Sequence, residues 1–66
     1  MKFYELFPKM LIRGRSGVVW EVVSVKRPYG IPTAEIKQTS SNVVLFGVIQ
    51  RADDDQEIPF EVQVTH

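Results

Sequence analysis

Apolar and polar residues alternate along most of this chain, and alternation at period two is the mark of a half-buried strand. The plainest case is at the end, where Ile58, Phe60, Val62 and Val64 interleave with Pro59, Glu61, Gln63 and Thr65. Ala34 and Ile36 interleave in the same way with Thr33, Glu35 and Lys37, which predicts a strand over Thr33–Thr39. Val43–Gln50 is apolar on both faces apart from Gly47, a residue that lets a strand bend or lets a ring pack over the backbone. Gly17–Val25 holds the only Trp, five Val and a single charge, Glu21. It is too apolar on both faces to lie over open water, so Val18–Val25 is predicted as the central strand. Strict alternation turns Val18, Trp20 and Val22 inward. A β-bulge near Val22 swaps the phase, buries Val23 and Val25, and bends the strand. A short strand at Met10–Ile12 completes a set of five and makes the class all-β.

The connections are read from the residues that break these runs. Phe3, Leu6, Phe7 and Met10 recur at helical spacing, but Pro8 interrupts them. That predicts a short N-terminal helical turn or lid, with two Phe rings over one open end of the core. Arg13-Gly14-Arg15-Ser16-Gly17 is a tight turn, and Lys26-Arg27-Pro28-Tyr29-Gly30-Ile31-Pro32 is a loop. Ser40-Ser41-Asn42 is a hairpin turn, and Arg51–Glu57 is a polar, acidic loop. The expected core is Trp20, Ile36, Leu45, Phe60 and Val62, covered at one end by Phe3 or Phe7. No repeat and no linker divides the 66 residues, so one domain over residues 1–66 is expected. A domain of this size buries only about 60% of its unfolded surface. With no Cys available for a disulfide, closure of the sheet, a packed aromatic core or self-association must supply its stability.

Charge changes the picture because it is unevenly placed. The net charge is zero, yet residues 1–37 carry +4 and residues 38–66 carry −4. Arg13, Arg15, Lys26 and Lys37 are candidate phosphate contacts. In an antiparallel meander, however, the Gly14–Gly17 turn and the Lys26–Pro32 loop lie at opposite ends of the central strand. The Lys26–Pro32 loop instead shares its end with the Asp53–Glu57 loop, and the two are expected to screen each other. The absence of Cys fits a reducing, cytoplasmic setting. No apolar run reaches the ~18 residues of a membrane span, so no membrane partner is expected. His66 is either native or the remnant of a purification tag.

Catalytic chemistry finds few parts. The single His is the last residue, and Ser16, Ser24, Ser40 and Ser41 have no base near them in sequence, so no catalytic residue is assigned. Asp53, Asp55 and Glu57 have the every-second-residue spacing of some Ca²⁺ loops but lack the turn Gly and the later Glu, so no metal and no cofactor is assigned. Binding chemistry finds more. Tyr29, in a Pro/Gly loop beside Arg27, either stacks on a partner or folds down over the end of the core. Val44, Phe46 and Val48 make a second apolar face on the fourth strand, which five short strands can hardly cover.

The residues Pro8-x-Met10-x-Ile12-x-Gly14-x-x-Gly17-x-Val19, followed by Glu21-Val22, resemble the SH3-like small barrels, including the bacterial KOW-type modules. Those modules open on Pro-Gly, where this chain reads Pro8-Lys9. The resemblance implies a five-stranded SH3-like small barrel. An OB-like barrel fits less well, because Ser40–Asn42 leaves no room for a helix. The expected role is a non-enzymatic binding module, either for another protein or for itself as a homodimer, through Arg27, Tyr29, Val44, Phe46 and Val48. Its size suggests a bacterial or bacteriophage accessory protein docking on a larger machine. The alternative is a nucleic-acid-binding barrel using Arg13, Arg15, Lys26, Arg27 and Tyr29.

Overall fold

The structure is a computed structural model that describes residues 1–40 and 42–63. The expected hairpin residue Ser41, the strand end at Val64 and the terminal His66 lie outside the described residues.

Five antiparallel strands form one sheet: β1 Leu11–Gly14, β2 Val19–Lys26, β3 Thr33–Ser40, β4 Val43–Gln50 and β5 Phe60–Val62. They lie side by side in the order β4-β3-β2-β1-β5. The sheet is open, with β4 at one edge and β5 at the other. Single 3₁₀ turns at Phe3–Glu5 and Pro28–Gly30 complete the elements. No helix among the described residues is long and apolar enough to cross a membrane.

β2 is central, as its two apolar faces require. It pairs with β1 through Ile12–Trp20 and with β3 through Val22–Ile36. The register slips between Val22–Ile36 and Ser24–Glu35, which makes Val23 the extra residue of a bulge. Val22 is fully buried before the bulge and Val25 packs on the core after it, whereas Val23 itself stays exposed. A bulged residue is left out of the pairing and need not follow either phase.

The core is Phe3, Leu6, Met10, Ile12, Val22, Ala34, Ile36, Ile49 and Ile58, with Trp20, Val25 and Phe60 packed against it in part. Two expected members are outside it: Leu45 is 52% exposed and Val62 46%. Leu45 alternates with Gly47 and Ile49 on the inward side of β4, but it pairs with Gln38, beyond the end of the core. The lid also differs from expectation. Phe3 is fully buried while Phe7 is 58% exposed, and Leu6 and Met10 fill the space instead.

Long-range backbone bonds hold this lid. The Phe3 and Tyr4 N–H groups donate to the Gln56 and Asp54 carbonyls, and the Ile58 N–H donates to Met1. Lys9 has a φ of +73°, in left-handed backbone, where its N–H donates to the Val22 carbonyl at 2.7 Å. Gly17 supplies the left-handed residue of the first turn, with a φ of +83°.

The strand β5 begins late because Pro59 has no N–H to offer the ladder, and the chain kinks there with Phe60 N–H donating to the Ile58 carbonyl. Its short run still pairs fully with β1, through Ile12–Val62, Arg13–Glu61 and Gly14–Phe60. An unpaired seam between the first and last strands is therefore not found. Of the two edges, β4 is the long one, with eight residues against three in β5.

Candidate binding surface

Side-chain phase and backbone pairing together decide what β4 presents. It pairs with β3 from Thr33–Gln50 to Ser40–Val43. One residue beyond, the Arg51 N–H donates to the Pro32 carbonyl at 3.1 Å. In an antiparallel pair, hydrogen-bonded and non-bonded positions alternate. Counting back from Arg51, the residues that bond to β3 are Ile49, Gly47, Leu45 and Val43. Val44, Phe46 and Val48 therefore turn their N–H and C=O groups to the open side. No strand among the described residues pairs there.

The same three residues carry the outward side chains. Phe46 is 73% exposed, Val48 65%, and Val44 about half. No charged residue lies between Val43 and Ile49. Edge strands are normally blunted by Lys, Pro, a bulge or a covering segment, and among the described residues β4 has none of these. The nearest charges on the outer face are Lys37, which pairs with Phe46, and Glu35, which pairs with Val48.

Tyr29 is fully exposed and does not fold over the core end. It occupies left-handed backbone, with a φ of +55°, inside the turn Pro28–Gly30. The loop is closed by Gly30 N–H to the Arg27 carbonyl and Ile31 N–H to the Pro28 carbonyl. Pro32 then bonds to Arg51, so Tyr29 stands at the Gln50 end of β4.

The cations are dispersed. Arg27 Nε donates to both carboxylate oxygens of Asp54, at 3.2 and 3.3 Å. This is the screening between the two loops that the topology predicts. Arg13 lies 3.7 Å from Glu61 on β5. Arg15 is exposed in the Gly14–Gly17 turn. Lys26 is exposed at the far end of β2, about 20 Å away at ~3.3 Å per residue. Lys37 is on the outer face of β3. These groups do not form one patch.

The acidic loop is an ordered turn. Asp53 accepts the Asp55 N–H and Gln56 the Ala52 N–H, while Arg51 donates to the Glu57 and Gln50 carbonyls. Glu57 is drawn to the N-terminal segment, 3.2 Å from the Met1 ammonium and 3.3 Å from Lys2 Nζ. These partners, the Met1 ammonium first, hold its carboxyl below the usual glutamate range. Among the described residues no three His, Cys, Asp or Glu side chains gather as metal ligands.

One feature escapes the sequence. An open cleft of about 500 Å³ lies between the Arg13–Gly17 turn and the Ile58–Glu61 segment, with Phe60 in its wall. Pro59 and the Phe60–Ile58 kink lie in its wall, and strand alternation carries no trace of it.

The chain matches no protein-family model, no curated protein and no solved structure.

Proposed function

We propose that this chain is a non-enzymatic binding module of the SH3-like small-barrel kind, docking another protein through β4. The observation that carries the reading is the combination on one strand: Val44, Phe46 and Val48 are exposed, and their backbone groups face an open edge. An exposed apolar strand of this length invites a covering partner. Tyr29, exposed and fixed in a tight turn at the same end as Gln50, is a second contact, with Arg27 beside it.

The SH3-like assignment is favoured by where the resembling residues fall. Met10 and Ile12 are in the core, Gly14 and Gly17 bound the first turn, and Lys9 takes the left-handed backbone that suits the Gly of an opening Pro-Gly. The absence of Cys favours a cytoplasmic setting, and the small size favours an accessory protein of bacterial or bacteriophage origin. Nucleic-acid binding is the weaker reading, because Arg13 and Arg27 are paired with carboxylates and Arg15 and Lys26 stand at opposite ends.

The test is capture of a partner from source cells at low and high salt. The wild type holds the same protein at both, and Phe46→Ser loses it. Capture that survives Phe46→Ser and disappears with salt would transfer the function to the basic residues.

A further inference from the structure

The backbone pattern of β4 also specifies a particular occupant for its edge. We propose that a second copy of this chain pairs there, β4 against β4 and antiparallel, about a two-fold axis between the two Phe46 residues. The inference rests on the reading of β4 as an interaction surface, but it concerns the edge, whereas the outer face remains open to another protein.

Three observations select a second copy. The first is register. Val44, Phe46 and Val48 present both N–H and C=O to the open side, evenly spaced about Phe46. A two-fold axis at Phe46 sets Phe46 opposite itself and Val44 opposite Val48 of the other copy. Each pair exchanges two bonds, about six in all. The second is shape. The same register sets Leu45, half-exposed beyond the core, opposite Gly47 of the other copy, which has no side chain to oppose it. The ring of Trp20 lies over that Gly and offers an apolar surface.

The third is charge and area. No charge lies on the strand from Val43 to Ile49, so self-pairing brings no like charges together. The nearest, Lys37 of each copy, are separated by three strand spacings, roughly 14 Å, which exceeds the ~8 Å screening length at physiological salt. Pairing covers on the order of 800–1,000 Å² in total, below the standard size of a stable interface, which fits a weak dimer that depends on concentration. The outer faces then join into one sheet, and its apolar strip doubles to two copies each of Val44, Phe46 and Val48.

Sedimentation equilibrium and single-cysteine cross-linking test this, the latter cleanly because the chain has no Cys. The wild type is expected to pass from monomer to dimer as its concentration rises from about 5 to about 500 μM, the range of a weak interface. Val48→Pro removes an N–H that faces the open edge, at a position where an edge strand tolerates Pro, so it is expected to keep a cooperative melt and to remain monomeric. Directly opposed hydrogen-bonded residues lie ~5.5 Å apart, within reach of a short bifunctional thiol cross-linker. Phe46→Cys is therefore expected to cross-link to a covalent dimer. Val44→Cys and Val48→Cys are expected to cross-link when mixed, and neither alone. A wild type that stays monomeric throughout, a Val48→Pro that still dimerises, or a Val44→Cys that cross-links to itself as readily as to Val48→Cys would overturn the proposal. Monomeric protein that still captures a partner through Phe46 would overturn self-pairing and leave the docking function in place.

Discussion

The indole ring of Trp20 lies across Gly47, its Cζ3 atom 3.6 Å from where a Cβ on that residue would stand. Cγ1 of Ile36 is 3.4 Å from the same point. The contact joins β2 to β4 across β3, and it brings the only Trp of the chain against the strand assigned to binding.

Both distances are ordinary van der Waals contacts, so a methyl group fits. Gly47→Ala is expected to raise stability by about 0.5 kcal/mol, since Gly in a strand interior costs conformational entropy. Gly47→Val has no such room. It is expected to cost about 1–3 kcal/mol and to turn Trp20 toward water, seen as a red shift of its fluorescence. An unchanged spectrum in Gly47→Val would mean that the ring does not sit there.

The two aromatic ends of the core differ in burial, and their truncations should differ accordingly. Phe3 is fully buried, and Phe3→Ala is expected to cost about 3–5 kcal/mol, enough to unfold so small a domain. Phe60 only packs against the core from one side, and Phe60→Ala is expected to cost about 1–3 kcal/mol. Urea melts of the two variants rank them, and a larger loss in Phe60→Ala would contradict the assignment.

Much of this architecture is legible in the sequence, because period two is a local signal. All five strands follow from it, Val43–Gln50 with its boundaries. The bulge follows from a conflict of phase among Val22, Val23 and Val25. The facing of the Arg27 and Asp54 loops follows from topology alone. What was not legible depends on contacts between distant segments. Phe3 is core and Phe7 is not, because Phe3 bonds to Gln56, fifty-three positions away. Leu45 and Val62 have the alternation of core residues, but Leu45 pairs with Gln38 past the end of the core and Val62, though paired with buried Ile12, lies on the edge strand β5; alternation reports neither where a core stops nor which strand is at an edge. The apolar outer face of β4 was readable as surplus. That its backbone also faces an open edge depends on β5 pairing with β1, which the sequence does not announce.

Lys9 holds a conformation that costs an L-residue about 1–2 kcal/mol and costs Gly almost nothing. Its side chain is exposed, so little packing is lost on removing it. Lys9→Gly is expected to raise stability by about 0.5–1 kcal/mol after the greater chain entropy of Gly is subtracted, and Lys9→Ala to give no gain. Thermal melts of both variants check this. Destabilisation by Lys9→Gly would show that the left-handed turn is not formed.

The Met1 ammonium and Lys2 lower the Glu57 carboxyl in the folded state. A depressed carboxylate stabilises the fold fully above its unfolded pKa of ~4.3 and loses that contribution as pH falls through the lower, folded value. The wild type is therefore expected to lose stability on acidification below about pH 4.3 more steeply than Glu57→Gln does. Parallel acid limbs in the two proteins would remove Glu57 from the account. The residue is exposed, so salt is expected to shrink the difference.

Amide hydrogen exchange along β4 tests the central claim, that this strand offers a docking edge, most directly. In dilute solution the N–H groups of Leu45, Gly47 and Ile49 are expected to be protected by β3, and those of Val44, Phe46 and Val48 to exchange as open groups. Raising the concentration is expected to slow Val44, Phe46 and Val48 selectively. Uniform protection along β4 in dilute solution would contradict the account, because the edge would then already be covered by the chain itself.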